Sequence, residues 1–263
     1  ERKQIIALVQ REVVPAIGCT EPIAVALCVA KATETLGAKP EKIDVLLSAN
    51  ILKNAMGVGI PGTGMIGLPI AVALGALIGK SEYQLEVLKD SNPDAVNEGK
   101  RFIGEKRINI SLKEDITEKL YIEVCCEAAG NKATAIIAGG HTTFIYIARN
   151  DDVFLNKQNT SCGETEEQTV DLTLRKVYDF AMNAPLDEIR FILETARLNK
   201  AAAERSFDGN YGHGLGRMLR GTYEHKILGD SVFSHILSYT SGACDARMAG
   251  AMIPVMSNSG SGN

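Results

Sequence analysis

Apolar residues recur at helical spacing near the start of the chain. Ile5, Ile6, Val9, Val13 and Val14 fall on one side, which predicts a helix over 4–14 ended by Pro15. A second helix is expected over 20–36, with Thr20 as cap, Glu21 at the positive end and Pro22 in the first turn. Its body, 23–32, is apolar nearly all round, which predicts burial, and Gly37 closes it. Positions 42–49 alternate, with Ile43, Val45 and Leu47 on one face, and read as a strand. Residues 51–56 read as helix or turn. Beyond a glycine-rich passage, 57–67, a buried helix is expected over 68–78 with Pro69 in its first turn, and a shorter one over 94–103. Segments 107–112, 120–128, 133–138 and 143–148 read as strands, with Gly130-Asn131 as one turn. They make a small antiparallel sheet with the earlier strand and helices against it.

Past Asp151 the pattern changes. Residues 156–168 are polar and loop-like, and helices follow over about 170–182, 185–204, 213–224 and 230–240. The order is helical, then α+β, then helical. That order predicts an α+β protein in which a small domain with an antiparallel sheet, 40–155, is inserted into an Ala/Gly-rich helical domain made of 1–39 and 156–263.

Composition narrows the function classes. With 263 residues the chain suffices for one large domain or two medium ones. The net charge of −4 and the lack of a Lys/Arg block argue against nucleic acid. Trp is absent, so the core must be built from Ala, Val, Ile, Leu and Gly with close helix packing. The longest apolar stretch, 65–78, is too short to span a bilayer and contains Pro69. Cysteines fall at 19, 28, 125, 126, 162 and 244 with no C-x-x-C pair, which disfavours a zinc ribbon or a thioredoxin motif. No secretory signal pattern begins the chain, so the thiols are expected reduced and the protein cytoplasmic.

Three phrases carry candidate chemistry. Gly18-Cys19-Thr20-Glu21-Pro22 puts a thiol at a helix start, where the dipole and free N–H groups favour a thiolate. Such a thiolate serves as nucleophile or metal ligand; the alternative is a small buried residue. Pro61-Gly62-Thr63-Gly64-Met65-Ile66-Gly67 and Ser257-Asn258-Ser259-Gly260-Ser261-Gly262-Asn263 offer bare N–H groups suited to a carboxylate. The first formally matches G-x-G-x-x-G but lacks the preceding strand and the later acidic residue of a dinucleotide fold. It otherwise reads as a tight turn between helices, and the last phrase as a flexible terminus. His141 lies between two strands in Gly139-Gly140-His141-Thr142-Thr143, as a turn residue or an accessible base. Lys53 and Asn54 precede the glycine-rich turn, Lys53 as a solvated side chain or as a cation for a carboxylate. Asp245-Ala246-Arg247 reads as an exposed or ion-paired stretch near a helix end.

Taken together, Gly18-Cys19-Thr20-Glu21-Pro22, Pro61-Gly62-Thr63-Gly64, Gly139-Gly140-His141-Thr142, Asp245-Ala246-Arg247-Met248 and the 257–263 phrase resemble the L-cysteine desulfidase family, also known as serine dehydratase-like α-chain proteins. The resemblance spans the chain in the family's order. It implies an oxygen-sensitive [4Fe–4S] cluster and the conversion of L-cysteine to pyruvate, ammonia and sulfide. Related iron–sulfur enzymes dehydrate L-serine. Family chains continue well past residue 263 and supply further cluster cysteines there. This chain therefore resembles a truncated member: Cys19 alone falls in a family cysteine motif, and the piece is expected to hold no complete cluster and to be inactive. The segment 40–150 also resembles the small α+β domain that accompanies serine dehydratases and some phosphoglycerate dehydrogenases, on its Gly-Thr-Gly turn followed by an apolar helix.

The implied reaction is a lyase β-elimination, with an open cluster iron acting as Lewis acid on the leaving thiol or hydroxyl. Ser257, Asn258 and Ser259, then Thr63 and Asn54, are the expected carboxylate contacts; Lys53 and His141 are the candidates for the base. The expected partner is a small amino acid, with no nucleic acid and no membrane, and with a homodimer open as the assembly. L-Serine dehydration is the alternative activity. A non-catalytic regulatory domain that binds an amino acid through the 62–67 turn is the alternative of another class.

Overall fold

In the computed structural model, residues 1–157, 171–221 and 229–258 are described. The chain opens with α1 (Arg2–Glu12), β1 (Val13–Ile17), α2 (Thr20–Leu36), β2 (Lys42–Leu47), α3 (Ala49–Ala55), α4 (Leu68–Leu77) and α5 (Pro93–Gly104). A run of strands follows: β3 (Ile108–Leu112), β4 (Tyr121–Ala128), β5 (Asn131–Ala138), β6 (Phe144–Arg149) and β7 (Asp152–Asn156). Then come α6 (Leu174–Asn183), the single turn α7 (Leu186–Ile189), α8 (Leu193–Asp208), α9 (Leu215–Arg220), α10 (Val232–Met248) and β8 (Pro254–Asn258). The fold is α+β.

Six strands form one sheet in the order β3-β2-β4-β5-β6-β7. Every neighbouring pair is antiparallel except β2 and β3, which run parallel, so the sheet is mixed rather than purely antiparallel. The connection explains the parallel pair. Between β2 and β3 the chain crosses over through α3, α4 and α5, and a crossover returns a strand in the same direction. The register sets Val45 opposite Val124 and Val124 opposite Ala135, so one sheet face is continuously apolar.

That face is covered by α2. Ile23, Leu27, Cys28 and Ala30 are fully or almost fully buried, in a core shared with Ile43, Leu47, Leu74, Ile122 and Ile137. The all-round apolar pattern of 23–32 has this cause: α2 is sandwiched between β4, β5 and β6 on one side and α4 on the other. Sequence had grouped residues 1–39 with the helical part; in the structure α2 packs within the sheet's own core. Small side chains allow the close packing that a core without Trp requires.

Two departures concern the ends of elements. Val13 and Val14 were expected to finish the first helix, but they belong to β1, which pairs antiparallel with β8 from Val13 opposite Asn258 to Ile17 opposite Pro254. Pro15 stops the helix, and the β-branched neighbours then take the partner strand that β8 offers. The segment 257–263, expected as an open loop, begins instead inside β8; residues 259–263 lie outside the described residues. The single helix expected over 185–204 is broken into α7, a tight 3-10 turn at Arg190–Ile192 and α8. The last helix runs to Met248 rather than 240, started by a Ser231–Ser234 capping box. β7 is a strand that the sequence pattern did not reveal. In the helical part α10 packs against α8 and α9, and β8 lies on α8 with Met256 N donating to Asn199 Oδ1 at 2.8 Å.

Candidate functional site

The segments that carry candidate chemistry meet at one place. Gly18 has φ +81°, and a Cβ on it would lie 2.6 Å from Pro61 Cγ, so the loop before α2 and the glycine-rich turn are in direct contact. The turn also lies against the end of α10. Gly59 N donates to Met248 O at 2.8 Å and Gly62 N to Gly250 O at 3.2 Å. A Cβ on Gly59 would sit 2.4 Å from the Ala249 carbonyl, an approach that no other residue permits. Arg247 completes the junction, its Nε donating to Gly18 O at 3.2 Å.

Cys19 occupies the N-cap of α2 and is 3% exposed. Its Sγ donates to Glu21 Oε2 at 3.0 Å. The sequence predicted a thiolate here, and the structure reverses that. Burial pushes the thiol up to about 12, and the hydrogen bond and charge of Glu21 push the same way. The helix dipole is outweighed because desolvation and an acidic neighbour both oppose the anion. A metal at the sulfur would change the balance, since a coordinated thiol is deprotonated outright.

Glu21 is itself buried and organises its surroundings. Besides Cys19, Thr20 Oγ1 donates to Oε2 at 3.2 Å and Asn54 Nδ2, from α3, donates to Oε1 at 3.3 Å. His141, on the turn between β5 and β6, lies within the field of both Glu21 and Arg247. Burial lowers the imidazole below its ordinary value, Glu21 opposes that shift and Arg247 adds to it. The ring is therefore neutral near pH 7 and able to accept a proton. Thus Cys19 and Asn54, two of the residues singled out in the sequence, donate to one carboxyl group, and a third, His141, feels its charge.

The other picks go elsewhere. Lys53 is exposed on α3. Thr63 holds its own turn together: its Oγ1 donates to Ile60 O at 2.8 Å and accepts from Met65 N at 2.9 Å. The turn's N–H groups at Gly62, Thr63, Met65 and Gly67 are all used within the fold, which leaves little of the anion cradle expected there. Ser257 is buried on β8 with an unpartnered Oγ, Asn258 ends that strand, and Ser259 lies outside the described residues. Cys28, on α2, and Cys126, on β4, are buried in the core between them, Cys125 is half-buried on the other sheet face and Cys244 is exposed on α10; Cys162 is outside the described residues. Among the described residues no group of His, Cys, Asp or Glu could hold a metal ion. Cys19 alone does not fit a [4Fe–4S] cluster, which takes several thiolates.

Sequence reasoning missed three members. Glu21 was read as a helix-dipole partner. Its place beside Cys19 was the available signal, because the first turn of a helix folds a side chain back on its cap. Asp245 and Arg247 were expected exposed or ion-paired. Both are buried, and Asp245 accepts from His213 N at 3.2 Å and Gly216 N at 2.9 Å, at the start of α9. Alternating polar residues late in a helix carry no local signal of burial. Arg247 also lines a groove of about 900 Å³ between α8, α10 and β8, together with Asn199, Lys200, Tyr239, Cys244 and Met256.

With this geometry in hand, known proteins give a consistent picture. The family model described as serine dehydratase alpha chain matches residues 82–263. The chain is similar to a UPF0597 protein of Bacteroides fragilis, 85% identical over 263 residues, covering 100% of this chain and 61% of that protein. A UPF0597 protein of Bacteroides thetaiotaomicron is 79% identical over the same coverage. One from Chromobacterium violaceum is 44% identical over 99% of this chain and 60% of its own length. The chain thus spans about three fifths of the length of these relatives. No solved structure matches. No helix among the described residues is long and apolar enough to cross a membrane.

Proposed function

This chain belongs to the serine dehydratase alpha chain family, and we propose that it carries part of the active site of a lyase that performs β-elimination on a small L-amino acid. L-Cysteine is the favoured substrate, giving pyruvate, ammonia and sulfide; L-serine, losing water, is the alternative. The observation that carries the reading is the junction at the start of α2: Cys19 donates to the buried Glu21, Arg247 donates to Gly18 O, and the partly buried His141 feels the charges of Glu21 and Arg247.

His141 is the base of this proposal. A partly buried neutral imidazole can take the α-proton, and the charge of Glu21 favours the imidazolium that forms. As the proton leaves Cα, the electron pair forms the Cα=Cβ bond and the Cβ–S bond breaks. The resulting aminoacrylate tautomerises to an imine and is hydrolysed to pyruvate and ammonia. Exclusion of water by the Gly59–Gly250 and Gly18–Pro61 contacts strengthens each charge interaction in the site. A [4Fe–4S] cluster in the full-length protein, with Cys19 among its ligands, belongs to the same proposal, as does a cytoplasmic location where thiols stay reduced.

The test is full-length protein purified without oxygen and given L-cysteine or L-serine. Pyruvate release with iron and sulfide bound is the expected result, and His141→Asn should lower kcat by roughly 10²- to 10⁴-fold. Binding of the amino acid without any turnover would replace this reading with the regulatory one.

A further inference from the structure

Arg247 is a buried cation without an acidic partner. It is 6% exposed, and among the described residues no carboxylate forms an ion pair with it. Its Nε donates to the Gly18 carbonyl, and its Nη2 is buried with no partner among the described residues. The acids that could have compensated it are committed elsewhere. Asp245, on the same helix, turns to the backbone N–H groups of His213 and Gly216. Glu21 accepts from Cys19, Thr20 and Asn54.

An uncompensated guanidinium in a buried place is costly, and buried charges are otherwise found paired. The arrangement is therefore complete only with an anion. Arginine presents a planar fork of N–H donors that matches a carboxylate in two-point contact. Arg247 lines the groove between α8, α10 and β8, so a ligand lying in that groove can reach the guanidinium.

We propose that Arg247 holds the α-carboxylate of the amino-acid substrate. The identity of the anion as an amino acid rests on the lyase reading above; the anion site itself rests on the orphaned guanidinium. This assigns the role first sought in the 62–67 turn to a side chain on α10. The carboxylate is lost neither before nor during β-elimination, so the contact persists into the transition state and its removal raises KM more than it lowers kcat.

The experiment compares L-serine with 2-aminoethanol, which is L-serine without its carboxylate. Full-length wild-type protein should bind L-serine at least tenfold more tightly, by calorimetric titration. Arg247→Gln should abolish that preference, weakening L-serine roughly ten- to a hundredfold and raising KM by a similar factor. Arg247→Lys, which keeps the charge but not the fork, should restore part of it. Equal binding of the two ligands by wild type would overturn the proposal, as would a preference for L-serine that survives in folded Arg247→Gln. Should Arg247→Gln fail to fold, thermal stabilisation of wild type by each ligand still decides the matter. A carboxylate-dependent affinity without pyruvate formation would sink the lyase reading and leave the anion site standing. Pyruvate formation with an unchanged KM in Arg247→Gln would do the reverse.

Discussion

The sheet-bearing part of the molecule and the helical part after it differ in how they treat apolar surface. Around α2 the apolar positions are matched: Ile23, Leu27, Ile43, Leu74, Ile122 and Ile137 are all 1% exposed or less. In the helical part the buried apolar cluster is Ala202, Ala246, Ala251 and Val255, with Tyr211, Ala243 and Ile253 partly buried against it. Large side chains there face outward, Leu174 at 87%, Leu186 at 79% and Val232 at 77% exposed. α6 is amphipathic, yet no residue of it is buried. Periodicity in a sequence reports that a helix has an apolar face; it does not report that the face has met a partner. Regions with few buried contacts open at lower free energy than a closed core.

The largest expected contrast is in thiol reactivity. In metal-free protein, alkylation of Cys19 should lag that of exposed Cys244 by about a thousandfold or more near pH 8, since a pKa raised to about 12 leaves very little thiolate. Because the shift is upward, the Cys19 rate should climb about tenfold per pH unit well past pH 9. Mass-spectrometric labelling kinetics check this, and equal rates for the two would mean that the junction opens freely. Next in size, Leu27→Ala should cost about 2–5 kcal/mol in denaturant unfolding, by loss of buried surface and the cavity left behind. Leu174→Ser, in the same assay, should change stability by less than ~0.5 kcal/mol. Comparable losses for both would break the contrast between the two regions. A smaller effect is expected where they touch. Gly59→Ala forces a methyl group against the Ala249 carbonyl and should cost about 1–3 kcal/mol. Circular dichroism melting with a probe in each region would show whether the two then unfold separately.

Much of the α+β part was legible in the sequence because its signals are local. The cap, Pro22 and Gly37 bracket α2, and alternation marks β2 and β4. What escaped depends on partners far away in the chain. β1 is a strand only because β8 pairs with it, and the parallel setting of β2 and β3 follows from a long crossover. The site divides in the same way. Cys19, Asn54 and His141 were found because glycine and cap chemistry flank them. Arg247 was not, because its burial is decided by Gly18, and the Cys19 thiolate was expected because the helix dipole is visible in sequence while desolvation is not. The 62–67 turn offered N–H groups on paper that the fold had already used.

The Arg247–Gly18 hydrogen bond joins residues separated by 229 positions. That separation has a meaning for the nascent chain. At about 5–20 residues per second, α2 leaves the ribosome roughly 10–50 s before α10 exists. The sheet and its helices can condense in that time, but the closure over Cys19 cannot, since it needs α10. Newly made molecules therefore pass through a stage in which a thiol that is buried in the finished fold is open to oxidants and stray metals. The order of synthesis thus delays closure of the site until α10 has been made.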